Sequence, residues 1–171
     1  MTRRHRNAAS GRFAAARDAE ADPERHVAER VREPVVDIRA ERMSGGFLKI
    51  HLGTPDKPRV LHYFTAPDHG DPHNHAQFGF WSTVLDGGYV EERYVADGSF
   101  QLIHRQPGDR FYVSPDDIHR IVDLPAGMAV TLIEPDPHTG RDSGFFRWRD
   151  GVMLHRTWRE ASNGEDFRPV R

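Results

Sequence analysis

The chain has 171 residues, 37% hydrophobic and 29% charged, with a net charge of -2, enough for one domain with a core and some spare length. No apolar run approaches the roughly 20 residues that cross a bilayer, and no signal-peptide core opens the chain, so a soluble cytoplasmic protein with no membrane role is expected. The charge balance offers no field for nucleic acid. With no cysteine, disulfides, thiolate metal sites and cysteine nucleophiles are excluded, and the 11 histidines are left to supply any metal ligands.

Residues 1–40 read as an N-terminal arm. The arm is basic up to Arg12 and rich in Ala, Glu and Arg up to Arg32, with Pro23 interrupting any helix. A loosely helical or disordered segment is expected there. Residues 41–171 read as a β-domain. Short apolar runs at 47–50, 60–64, 78–85, 89–95, 100–104, 111–113, 118–124 and 128–133 are of strand length. Turn sequences separate them: Thr54-Pro55-Asp56, Asp86-Gly87-Gly88, Asp97-Gly98, Gln106-Pro107-Gly108 and Pro125-Ala126-Gly127. Strands recurring about every 10 residues with no long helix between them predict an all-β antiparallel barrel or sandwich. One more hairpin is expected around Asp150-Gly151, and a loose tail after Asn163.

The run Asp71-Pro72-His73-Asn74-His75 carries the clearest chemistry. On a strand, side chains at i and i+2 share a face roughly 7 Å apart, so two imidazoles can reach one metal ion. Further along, Pro107-Gly108-Asp109 opens a strand, Ser114-Pro115-Asp116-Asp117 makes a turn, and His119 enters the next strand. A hairpin of this kind is expected to return His119 opposite the first pair.

These residues resemble the cupin superfamily. His73, His75 and Gly87 match its first motif, and Gly108, Pro115 and His119 its second, over residues 60–135. The resemblance implies a jelly-roll barrel (a double-stranded β-helix) with a divalent metal near one open end, held by His73, His75 and His119. The superfamily's glutamate, four or five residues after the second histidine, is absent: Gly79 and Phe80 stand there. A three-histidine site of this kind resembles the thiol dioxygenases of the cysteine dioxygenase group, and Asp116-Asp117-Ile118-His119-Arg120-Ile121 is similar to their second motif. Their Ser-x-His-x-Tyr is not matched, since Val130-Thr131-Leu132-Ile133-Glu134 occupies that stretch. The run from His75 to Glu91 also resembles a poorly characterised group of small cupin-like proteins, which brings no function with it.

Gln77 continues the i, i+2 series and is a further candidate ligand; its bland alternative is a hydrogen bond to a neighbour of the metal ligands. Glu91, His104 and Arg120 are candidate catalytic residues, Arg105 and Arg110 candidate carboxylate clamps, and Glu92 a solvated edge charge or an inward acid. His62 reads as a hydrogen-bonded, half-buried histidine and His69 as exposed. Phe64, Phe78, Phe80, Trp81 and Tyr112 are candidates for a pocket lining or for plain core.

Three neutral imidazoles leave open positions on a metal and preserve its charge, which favours a small anionic chelating substrate. The resulting expectation is a mononuclear non-haem Fe(II) oxygenase, with Zn, Mn or Ni as other metals. The alternatives are a metal-dependent isomerase or lyase, with Glu91 or His104 as base, and a non-enzymatic small-molecule-binding module. A homodimer formed through edge strands is expected by analogy.

Overall fold

The computed structural model of the chain describes residues 38–43 and 45–170, so the expected arm falls almost wholly outside the described residues. The first strand, β1 (Arg39–Met43), straddles the expected boundary at 40/41 and has no counterpart among the predicted strands. β2 (Phe47–Thr54) and β3 (Lys57–Phe64) follow as a hairpin around Pro55-Asp56, longer than the apolar runs alone suggest. Pairing continues through Leu52↔Arg59, Gly53↔Pro58 and Thr54↔Lys57, where a cross-strand partner replaces hydrophobicity as the cause of strand.

The next strands are β4 (Phe80–Asp86), β5 (Tyr89–Tyr94), β6 (Phe100–Arg105), β7 (Arg110–Val113), β8 (Ile118–Asp123) and β9 (Ala129–Pro135). Alternation along β4 and β9 sends Phe80, Ser82, Val84, Ala129, Thr131 and Ile133 inward. The sharp β4–β5 turn requires glycine at 87, where φ is +73° and a Cβ would lie 2.0 Å from the Met128 carbonyl oxygen. β10 (Gly144–Arg149) and β11 (Val152–Thr157) form the expected hairpin. Positive φ at both Asp150 and Gly151 gives a two-residue turn that matches the strand twist. A short helix with no counterpart among the predicted elements, α1 (Trp158–Ser162), follows, and within the tail expected to be loose after Asn163 lies a two-residue strand, β12 (Arg168–Pro169).

All ladders are antiparallel. One sheet has six strands in the order β1-β2-β3-β9-β4-β7; two three-stranded sheets run β6-β5-β8 and β10-β11-β12. His73 makes isolated bridges to both His119 on β8 and Phe145 on β10, so the short sheets meet along one seam. Among the described residues no ladder closes the six-stranded sheet onto the others. Phe64, Val84, Tyr89, Ile121, Leu124 and Ala129 form one core cluster, and Phe80, Val113 and Ile133 a second. Both contain side chains that line a cavity of about 440 Å³, walled by residues from the six-stranded sheet and from β5, β8, β10 and α1.

The order of strands corrects one expectation. β7 and β8 are not a hairpin: β7 pairs with β4 and β8 with β5, so the Ser114–Asp117 turn carries the chain from one sheet to the other. The Asp117 amide donates to the Ser114 carbonyl at 3.1 Å and the Ser114 amide to Asp117 Oδ2 at 2.8 Å, which fixes that crossing.

Candidate metal centre

His119 is held on β8 and His73 in the bridging segment, and their backbones exchange both hydrogen bonds. Each amide donates to the other's carbonyl at 2.9 Å. On the far side the Phe146 amide donates to the Pro72 carbonyl at 2.8 Å and the Asn74 amide to the Gly144 carbonyl at 3.0 Å. The buried Asn74 completes the tie, its Oδ1 accepting from the Gly144 amide at 3.0 Å. His73 is thus extended by pairing, but His75 lies in irregular chain and Gln77 in a turn, not on the expected strand.

One ring nitrogen from each of His73, His75 and His119 lies within 4.8 Å of the others. Nε2 of His75 and Nε2 of His119 stand 3.1 Å apart. Two nitrogens each about 2.1 Å from a shared ion, at angles between 90° and tetrahedral, would be separated by roughly 3.0–3.4 Å, so this spacing suits two ligands of one metal.

Glu91 orients His119 from behind. It is 0% exposed, and its Oε2 meets His119 Nδ1 at 3.1 Å. Its Oε1 accepts from Arg105 Nε at 2.9 Å, Arg105 Nη2 at 2.7 Å and Arg93 Nη2 at 3.1 Å. Burial alone would raise the Glu91 carboxyl; the hydrogen bond and charge of His119, then the charge of Arg93 and the hydrogen bond of Arg105, outweigh it and hold it down at about 2. An ionised carboxylate only accepts, so His119 Nδ1 carries the proton and Nε2 keeps its lone pair toward the other histidines. Burial, followed by the neighbouring imidazole charges, holds His73 down at about 3 and His75 well below the usual range. His73 and His75 are therefore neutral near pH 7, the form that binds metal.

Among the described residues no carboxylate joins this group. Phe80 packs its ring edge-on against His75, with centroids 5.2 Å apart, and at Gly79 a Cβ would lie 2.0 Å from Tyr112 Oη. Gln77 lines the cavity and its backbone N–H donates to Ser143 Oγ at 3.3 Å.

The other sequence candidates are placed elsewhere. Glu91 is buried behind His119 and committed to two arginines, so it is not a base open to the cavity. His104 is exposed on β6, outside the cavity lining. Arg120 leaves β8 on the face opposite His119, where it binds Glu92 Oε2 at 2.7 Å and the Gly70 carbonyl at 3.3 Å. Glu92 is buried in that pair. Arg105 is taken by Glu91 and stacks 3.6 Å from the Phe111 ring centroid, while Arg110 pairs with Glu134 and covers Trp81. Neither is a clamp within the cavity. Trp81 and Tyr112 point outward, 39% and 41% exposed, whereas Phe64, Phe78 and Phe80 do line the cavity. His69 is exposed as expected, at the cavity rim.

Sequence reasoning missed Trp158, which brings its ring to 6.5 Å from His73 and 6.4 Å from His75, and Phe145, 6.4 Å from His73. It also underrated His62, which faces the cavity and packs edge-on against Phe47 at 4.8 Å instead of making a ring hydrogen bond among the described residues.

No protein-family model matches the chain, and no curated protein matches it. Among solved structures it is similar to hydroxypropylphosphonic acid epoxidase from S. wedmorenis, with 12% identity, a TM-score of 0.48, and 58% of this chain aligned to 56% of that one. An oxalate oxidase aligns with 12% identity and a TM-score of 0.46 over 58% of this chain and 56% of its own. A protein of unknown function from Vibrio parahaemolyticus aligns with 16% identity and a TM-score of 0.43 over 57% of this chain and 96% of that one. The chain thus spans little more than half the length of the two enzymes, and likeness at this level assigns neither family nor activity.

Proposed function

We propose that the chain is a cupin-type metalloprotein with a jelly-roll fold, and that it is a mononuclear non-haem Fe(II) oxygenase acting on a small anionic substrate. The observation that carries this reading is the convergence of three imidazoles, with Glu91 facing Nδ1 of His119 from behind, on the wall of a cavity of about 440 Å³. A bound Fe(II) would supply open positions for a substrate and dioxygen side by side. His73, His75 and His119 would hold the ion; Glu91 keeps His119 in the binding tautomer; Phe80, Phe145 and Trp158 exclude water from the same space. The Lewis-acid alternative requires a base facing the centre, and neither Glu91 nor His104 does so.

Elemental analysis of the purified protein, followed by oxygen-electrode measurements with thiol and keto-acid panels, tests the reading. Stoichiometric iron and substrate-dependent oxygen uptake are expected. His73→Ala and His119→Ala should each abolish stoichiometric metal while the far-UV spectrum stays that of a folded β-protein. Full metal in either variant removes the proposed centre, and bound zinc, manganese or nickel without oxygen uptake would move the assignment to Lewis-acid chemistry.

A further inference from the structure

The cavity contains a second group of polar side chains, outside the three histidines. Lys49 on β2 stands directly opposite His62 on β3, and His62 directly opposite Thr131 on β9. Cross-strand partners share a face, so the three form one row across three strands, and all of them line the cavity. The row on one side is Phe47, Phe64 and Ala129; on the other it is His51, Val60 and Ile133.

Within the described residues Lys49 is the only lysine or arginine lining the cavity, and its ammonium forms no ion pair or hydrogen bond there. The ammonium lies over the Phe47 ring, 5.4 Å from its centroid. Glu41, opposite Lys49 on β1, places its Oε2 3.3 Å from His51 Nε2 instead. Burial lowers the Lys49 amine from its ordinary value, against the raising effect of Glu41. Burial likewise keeps His62 at about 3, so near pH 7 it offers one donor and one acceptor and no charge. A half-buried cation in no direct ion pair, with only the more distant Glu41 acting on it, is costly where an apolar side chain would pack, and an incoming anion would offset that cost.

We propose that Lys49 is the anchoring residue for a carboxylate on the substrate, flanked by His62 and Thr131, and that the substrate class is a small carboxylic acid with an apolar, aromatic-sized body. The body lies along Phe47, Phe64 and Phe80 toward the three histidines, in a cavity within the size range of small-molecule sites. The proposal rests on the three-histidine centre being the reactive end of the same cavity. The charge of Lys49 does act on His75, so the two ends are electrostatically in reach.

The test is calorimetric titration of the full chain, stripped of metal by chelation, with 3-phenylpropionate and its uncharged amide. Wild type is expected to bind the acid at least about tenfold more tightly than the amide, the range of a charge-assisted hydrogen bond. Lys49→Met should erase that preference by weakening the acid alone, and Lys49→Arg should retain most of it. Equal affinity for acid and amide in wild type, no binding of either, or a preference that survives Lys49→Met overturns the proposal. If Lys49→Met does not fold, Lys49→Gln and the wild-type comparison decide the matter. Repeating the titration in His73→Ala separates the two readings. An acid preference without metal supports the anchor independently, whereas metal retained in wild type with no preference removes the anchor and leaves the centre standing.

Discussion

His119 can present only Nε2 to the cavity, because Glu91 occupies Nδ1 and is itself fixed by Arg93 and Arg105. The geometry depends on a register irregularity: Val90 pairs with Asp123 but Glu91 with Ile121, so β8 carries one extra residue beside the site. Glu91→Gln should weaken metal affinity by about 10- to 100-fold, measured by competition with a chelator. It should also cost on the order of 3 kcal/mol of stability in denaturant melts, since Arg105 loses its buried counter-charge and Arg93 keeps only Asp117. Unchanged affinity would make the carboxylate a purely structural anion. In the sequence, Glu91 stands out only as a strand carboxylate after Gly-Gly-Tyr. Its partners Arg105 and His119 come from β6 and β8, and no local pattern encodes a bulge in a pairing strand that lies three strands further along the chain.

At the scale of elements, the turns were legible and the pairing was not. Asp150-Gly151, Asp86-Gly87-Gly88 and Pro55-Asp56 mark their bends by residue type alone. That β7 and β8 belong to different sheets is a long-range fact, decided by which strand each finds. The helix α1 could have been found, since Thr157 and Glu160 have capping-box spacing before it, but its five residues show no hydrophobic period. The Glu160 amide donates to Thr157 Oγ1 at 3.1 Å, and the Thr157 amide donates to Glu160 Oε2 at 2.7 Å. Thr157→Ala is expected to cost about 1 kcal/mol in thermal unfolding and to redden Trp158 emission as the indole gains water. An unshifted emission spectrum would show that the helix needs no cap to seat its tryptophan.

For the molecule as a whole, the cavity imposes a pH dependence on stability. His62 has a folded value of about 3 against an ordinary 6.5, because burial disfavours its charged form. The unfolded chain therefore binds a proton in the window between those values that the folded chain does not. This contribution is intact above about pH 6.5 and is lost as pH falls toward 3, by at most about 1.4 kcal/mol per pH unit. In the metal-stripped protein, His62→Phe should flatten the stability–pH curve across that window, and parallel curves for variant and wild type would refute the assignment. The all-β class and the histidines that meet were readable from strand spacing and the His-x-His pair. The cavity's lining was readable only in part, because Trp158 and Phe145 reach it from a tail with no motif.

The reciprocal amide pairing of His73 with His119 makes the same two residues both a fastener between two β-ribbons and the holders of a candidate ion. An ion gripped there would act as a rivet driven through a zipper: to part the ribbons, its bonds must break along with the peptide hydrogen bonds. Occupancy would then govern how often the junction breathes, so that metal loading changes the kinetics of local opening even if the resting shape stays the same.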